Sequence, residues 1–459
     1  MASLTSSLMM AMHALVAQQG AMDATTNNIA NANTPDYSRQ VPVLAENEPT
    51  TDGSLQYGNG VELEKYQSVR NQLLDLRIQE ETSQQFSADA QTSATQQIQP
   101  LFTTSAQDIG TQMSAFFTSI SQLSADPANL SLRTGMISAG QNLATSFHTA
   151  VSGLTEIQNG LNATVKQSVD SINELSQQIA ALNPKLVGLQ QLGQDGGAVQ
   201  DQQTGLVRQL SQLTGVSVTQ TESGVTVTTA NGAPLVVGNQ AFALQSAIGT
   251  DGSQHVTSQG QDITSSLAGG TLGGTLNVRD QVIPGILDQL DTLASQFTAS
   301  FNAAHSQGTD LNGNAGGDFF APISSVAGAA AQINVAVTDP SAIALSSDGS
   351  AGGNGNVAQL LGVQTAALPS GQNPTDSYSS IVYQVGAVAA DAQAESDASS
   401  MSLTQLTDQQ SSLSGVSINE ESVNLIRYQQ AFEAAAHVIS TIDQLNEVAL
   451  NMGATTSGY

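Results

Sequence analysis

Residues 415–442, GVSINEESVNLIRYQQAFEAAAHVISTI, hold Ile418, Leu425, Phe432 and Ile439 at intervals of seven, with Tyr428, Ala435 and Ile442 each three positions after a member of that row. Alternating steps of three and four place these residues on one side of an α-helix, as a seam for a second helix. Ser417 and Glu420 have capping-box spacing at its start, and Gly453 after Met452 marks the expected end. The opposite end of the chain matches it: Leu8, Leu15, Met22 and Ile29 recur every seven, and Leu4 and Met12 fill the same stripe. The two ends therefore read as a coiled-coil-like pair of helices.

Working inward, helical spacing predicts further helices over 69–102, 107–123, 129–182, 284–305 and 378–413. In the third of these, Leu154, Leu161, Val165, Ile172, Leu175, Ile179 and Leu182 keep a step of three, four or seven, which describes a rod. The stretch 187–275 changes character. Val216, Val218, Val225 and Val227 alternate with Thr and Ser, and Ser223-Gly224 and Asn231-Gly232 supply tight turns, so it reads as a small inserted β domain. A second irregular stretch, 308–371, carries one strand-like run, Gln332–Val337, and a Gly-rich loop at 349–355. The fold class expected is α+β: an inner domain of terminal helices (1–50 with 415–459), a mainly helical stem domain (51–186 with 276–414), and the β insert (187–275).

Composition narrows the function. A chain of 459 residues exceeds what one core of roughly 250–300 residues accommodates, so two to four domains are expected. With 10 Lys and Arg against 38 Asp and Glu, the formal charge of −28 repels phosphate backbones and anionic lipid, which excludes nucleic acid and membrane surfaces as partners. Cysteine and tryptophan are absent, removing disulfides, thiolate nucleophiles and Cys-based metal sites. The first basic residue is Arg39 and no apolar run approaches the ~20 residues that span a bilayer. A soluble protein without a cleaved signal is expected.

The six stripe residues of the first helix bury too little apolar surface to offset the entropy of ordering its 30 residues alone. The sequence thus predicts that both ends are frayed in the free chain and become ordered on each other and on neighbouring subunits, with weak hydrogen-exchange protection of residues 1–30 in the monomer.

At the end of the first helix stands Asn27-Asn28-Ile29-Ala30-Asn31-Ala32-Asn33-Thr34-Pro35-Asp36-Tyr37-Ser38-Arg39-Gln40, preceded by Ala14, Leu15 and Gln18. The Asn and Thr side chains can cap the helix end and Pro35 forbids its continuation. This stretch resembles the signature of bacterial flagellar rod, hook and hook-associated proteins, and its Asn28, Asn31, Asn33, Thr34, Pro35, Tyr37 and Arg39 are the matching turn residues. The family usually has Gly after the proline; Asp36 in its place favours a type I over a type II turn. Residues 415–441 resemble the closing segment of the same family, and Glu421-Ser422-Val423-Asn424-Leu425 is most similar to its hook-associated branch. Internal stretches agree: Asp126-Pro127, Ile172-Asn173-Glu174-Leu175, Gly269-Gly270 with Gly273-Gly274, and Phe301-Asn302 with His305, Gly308, Asp310 and Leu311.

The resemblance covers both ends and the stem. It implies a non-enzymatic structural subunit at the junction of hook and filament, assembling through Leu4, Leu8, Met12, Leu15, Met22, Ile29, Ile418, Leu425, Tyr428, Phe432, Ile439 and Ile442. The implied partners are further copies of itself in a ring, the hook protein, a second hook-associated junction protein beside the filament, and an export chaperone on the C-terminal helix. The implied place is extracellular, reached through the flagellar type III apparatus. A hook or distal rod component is the alternative within the family, and a stem-displayed adhesin or hydrolase domain is the alternative outside it.

No cofactor is expected. Asp310, Asn312, Asn314 and Asp318 sit at positions 1, 3, 5 and 9 of a calcium loop, but Ala315 and Ala321 stand where the turn Gly and the bidentate Glu belong, so a Gly/Asn-rich turn is expected instead. The histidines, His13, His148, His255, His305 and His437, lack ligand spacing. The glycines at 269, 270, 273 and 274 do not form a phosphate loop and read as a loop-to-strand connection. Arg39 and Arg427, scarce cations beside the interface segments, are expected to meet carboxylates of adjacent subunits.

Overall fold

A computed structural model describes residues 2–52, 55–103 and 105–456. Helix α1 (Ala2–Ala30) is followed by β1 (Gln40–Glu46), β2 (Thr50–Asp52), β3 (Leu55–Tyr57) and β4 (Val61–Ser68). β1 pairs with β4 and β2 with β3, both antiparallel, forming one long hairpin with a bulge at Val43/Leu44. This hairpin packs on α1. Gly20 is its contact point, where an added Cβ would lie 2.5 Å from a Leu63 methyl carbon.

The stem begins with α2 (Gln72–Ile98), α3 (Ile109–Leu123) and α4 (Leu130–Gln191). Each starts on a side-chain cap, Asn71, Asp108 and Asn129 accepting from backbone N–H groups of the first turn. Helix α4 runs 62 residues, through Pro184. Helix α5 (Gly197–Leu213) comes next, inside the stretch that reads as β. Its Leu206, Val207 and Leu210 are buried, but a Gln-rich remainder masks the helical spacing. Strands β5 (Val216–Thr221), β6 (Gly224–Thr229), β7 (Pro234–Val237) and β8 (Gln240–Ala241) form an antiparallel meander. The turns before and after β6 use Gly224 and Gly232 at φ +102° and +89°. Strands β9 (Leu244–Ile248), β10 (Gln254–Ser258) and β11 (Gln261–Asp262) make a second small sheet.

Helix α6 (Gly270–Asn277) continues through a π turn at Val278–Val282 into α7 (Ile283–His305). The glycine stretch therefore opens a helix, which corrects the loop-to-strand reading. Gly274 lets α6 lie against α2, since a Cβ there would stand 2.1 Å from the Ser87 carbonyl oxygen. Helices α8 (Ala329–Gln332), α9 (Val357–Gly362), α10 (Pro374–Ser414) and α11 (Ile418–Thr456) complete the chain. The run Gln332–Val337 forms no ladder; it makes one isolated bridge, Phe320 to Val335. Helix α11 continues past Gly453, because a glycine lowers helix propensity without ending a helix whose neighbours favour it.

Two cores share α4. The first joins its N-terminal half to α3, α7 and α10 around Phe116, Phe117, Phe297, Phe301, Phe319 and Phe320, whose ring centroids stand 5.0 to 6.3 Å apart in tilted and edge-on pairs. The second joins its C-terminal half to α5, α6 and the strands through Val165, Ile172, Leu210, Val227 and Val236. Three α4 asparagines also clamp β backbone with both ends of the amide. Asn162 bonds Gly252 O and Gln254 N, Asn173 bonds both polar atoms of Leu244, and Asn183 bonds both of Val225 together with Gly238 O. The β region is thus seated on the rod by side chains that imitate a neighbouring strand.

Asp310 caps its own turn, accepting from the N–H groups of Asn312 and Asn314 at 2.8 Å each. His305 is buried, with Nδ1 2.7 Å from Gly317 O and Nε2 accepting from Ala344 N at 2.9 Å. That pairing requires a neutral ring, and burial accordingly pushes its pKa below the usual histidine range.

Candidate functional site

Helices α1 and α11 pack along each other, so the first and last segments lie side by side. On α11 the inward line is Glu421, Leu425, Tyr428, Phe432, Ala435, Ile439 and Ile442, in strict steps of four and three, all buried or half-buried. Ile418, the first residue of the expected row, is instead 53% exposed, because the helix starts there and turns it outward. On α1 the buried described residues are Ala11, Ala17, Gly20, Ala21, Ala24, Thr25 and Asn28. Leu4, Leu8, Leu15, Met22 and Ile29 are half-buried on the adjoining face, and Met12 is 53% exposed. A reading weighted by side-chain size finds the flank of this contact, whereas closest approach selects small residues.

The pair remains apolar on its outer side. Val423, Ile426, Val438, Leu445 and Val448 point away from the inward line of α11, and Met9, Met12 and Val16 are exposed on α1. These residues form two groups, 423–426 and 438–448, on the side of α11 turned away from α1.

Below the pair lies a polar joint built from the turn residues. Asn28, buried at the end of α1, donates to Gln40 O (2.8 Å) and Glu421 Oε2 (3.1 Å) and accepts from Gln40 N and the Tyr37 hydroxyl (2.9 Å each). Its amide therefore uses every hydrogen-bonding position it has. Burial, with Asp201 and Glu421 nearby, pushes the Tyr37 hydroxyl up to about 12, so it stays a donor. Arg39 pairs with Glu421 (2.7 Å) and Glu420 (3.3 Å) of its own chain. This corrects the expectation of a partner on a neighbouring subunit and explains why Glu420 does not close the capping box, although its N–H lies 3.4 Å from Ser417 Oγ. Arg427 stays exposed, stacked over Tyr428 with its guanidinium carbon 5.1 Å from the ring centroid.

The remaining motif residues shape the bend. Asn31 donates to Asn27 and accepts from the Thr34 hydroxyl, Asn33 and Pro35 are exposed, and Tyr37 N bonds Thr34 O across the turn. Asp36 has φ +62°. That is the third position of a type II turn, so the type I expectation is wrong: the backbone keeps the shape suited to glycine and Asp36 adopts it. Its carboxylate forms an ion pair with Arg208 of α5. Arg208 also donates to Gln410 of α10, which donates to Asp75 of α2, while Arg70 pairs with Asp201 of α5. Burial raises the pKa of Asp75 and of Asp201, against the pull of the neighbouring arginines. Three of the ten basic residues of the chain thus converge on this joint. Spacing along the sequence gives no hint of these pairings; the scarcity of cations was the available signal.

Among the described residues no cluster of His, Cys, Asp and Glu could hold a metal ion, and no helix is long and apolar enough to cross a membrane.

Comparison with known proteins places the joint in a context. Residues 95–320 match the family described as flagellar hook-associated protein FlgK helical domain, residues 409–452 the flagellar basal body rod FlgEFG protein C-terminal family, and residues 8–37 the flagella basal body rod protein family. Flagellar hook-associated protein 1 of Escherichia coli K12 is 26% identical over 539 residues, covering 96% of this chain and 98% of that protein. Its counterpart from Bacillus subtilis 168 is 27% identical over 497 residues, covering 96% and 97%. The fold is similar to the solved flagellar hook junction protein FlgK from Burkholderia pseudomallei, with TM-score 0.68 at 18% identity, over 74% of this chain and all of that one. Carrying the turn motif, stem and closing helix in the same order, the chain is similar along nearly its whole length to flagellar hook-associated protein 1 and to the axial families matched at its two ends.

Proposed function

We propose that the chain is the structural subunit that joins the flagellar hook to the filament, held in place by its paired terminal helices. The observation that carries this reading is the outer apolar line of α11, Val423, Ile426, Val438, Leu445 and Val448, lying opposite the face already used by α1. A helix pair apolar on both sides needs neighbours, and further copies of the chain in a closed ring supply them. Leu4, Leu8, Met12, Leu15 and Met22 of α1, with Leu425, Phe432 and Ile439 of α11, then bury fully on assembly; the inner domain takes in the β1–β4 hairpin and ends near residue 69 rather than 50, and α4 runs unbroken across the expected division at 187. Hook protein lies on one side of the ring and a second hook-associated protein on the other. Export runs through the flagellar type III apparatus, with a chaperone covering α11, whose apolar outer line is a hazard before assembly.

Deleting the gene in its own host and imaging the cells tests this. Intact hooks without attached filaments are expected; loss of the hook itself overturns the junction assignment in favour of a more proximal axial component.

A further inference from the structure

The polar joint contains a contact that reaches beyond the helix pair to α5. Asp36 occupies the left-handed conformation at the base of the terminal pair, and its carboxylate meets Arg208, which stands on α5 in the β-bearing half of the molecule. The seat on α5 is shaped to receive it: a Cβ added at Gly205, one turn before Arg208, would stand 3.0 Å from Asp36 Oδ2. Arg208 then reaches Gln410 at the end of α10 (3.3 Å), and Gln410 reaches Asp75 at the start of α2 (2.6 Å). One guanidinium therefore touches the turn, the helix after the rod and the last stem helix. Two stretches carry the chain between the terminal pair, with the β1–β4 hairpin packed on α1, and the stem: residues 69–71 after β4 and the short link at 415–417.

We propose that the Asp36–Arg208 pair is an angular lock. It fastens the terminal helix pair to α5 so that pair and stem move as one body, and when it opens the pair, with its hairpin, swings about residues 69–71 and the 415–417 link. A glycine at position 36 keeps the bend without the lock, so this residue sets how stiffly the subunit holds its angle. The property belongs to the single chain and is independent of what the chain assembles with.

The absence of cysteine allows a direct test in the full-length protein. Thr26→Cys on α1 and Gln177→Cys on α4, both exposed, carry spin labels for distance measurement by pulsed electron resonance. A single narrow distribution is expected in the parent. Asp36→Asn, which keeps shape but removes charge, and Arg208→Gln should each widen it about twofold, the average of locked and swung states, and the double variant should widen it no further. Unchanged distributions in both single variants, with unchanged circular dichroism, overturn the proposal, as does a double variant that widens by the sum of the two. Should Arg208→Gln fail to fold, Asp36→Gly is read in its place: a widened distribution supports the lock, and one as narrow as the parent's overturns it.

Discussion

Replacing Asn28 by alanine removes one side chain and four hydrogen bonds from the joint. The buried Glu421 oxygen loses its amide donor, worth about 1.5–3 kcal/mol for a bond to a charged group. The Gln40 backbone and the Tyr37 hydroxyl are only half-buried and recover water, so they lose about 0.5–1.5 kcal/mol each. Together, over one bond to Glu421 and three to Gln40 and Tyr37, the destabilisation is roughly 3–7 kcal/mol, and it falls on the joint, because both stem cores lie elsewhere. At about 1.4 kcal/mol per factor of ten, local opening rises a hundredfold or more. Hydrogen exchange followed by mass spectrometry should show lost protection in residues 37–41 and 418–430, with 109–123 and 283–305 unchanged. Asn28→Asp keeps the size but cannot donate and sets a second carboxylate against Glu421, so it should be at least as damaging. Parent-like exchange at 418–430 in both variants would refute the reasoning that this amide holds the two ends together.

Three further outcomes are expected in the stem. Gly274→Ala should lower the urea midpoint, because separating α6 from α2 costs about 1–3 kcal/mol against a helix-propensity gain of at most about 1; a raised midpoint contradicts the contact with Ser87. Asn183→Leu should cost about 3 kcal/mol by stranding the Val225 and Gly238 backbone groups, read as faster exchange in residues 224–238 with the phenylalanine cluster still protected. Since burial holds the folded pKa of His305 below its unfolded value of 6.5, its contribution is complete above that value and is lost as pH falls through the folded pKa; His305→Gln should flatten the decline in stability between pH 7 and 5, and parallel curves for variant and parent would exclude the role.

The sequence made plain whatever is carried by large apolar side chains at regular steps. The rod, the stem helices and the inward line of α11 all belong to that class, since Leu, Ile and Phe at three and four announce both helix and face. The β5–β6 hairpin was legible for the same reason, through alternating Val and its turn glycines. What escaped is held by small or polar residues. Ala17, Ala21 and Ala24 bury fully because helices approach closely there, yet alanine is too weakly apolar to mark a seam. The β1–β4 hairpin mixes Val41 and Leu44 with Glu62, Glu64 and Lys65, so its alternation is faint, and α5 hides three core residues among glutamines. The joint was half visible: its turn motif could be quoted, but the partners of Asn28, Arg39 and Asp36 lie 393, 382 and 172 positions away along the chain and only folding brings them together.

That separation has a consequence for biosynthesis. Asn28 and Glu421 close the longest loop at the joint, and such a contact waits until nearly all of the chain between them has emerged and settled. A nascent or shortened polypeptide therefore leaves its first helix without a companion and its asparagine without an acid. The joint is therefore among the last contacts of the fold to close, since it waits for residue 421 of 459.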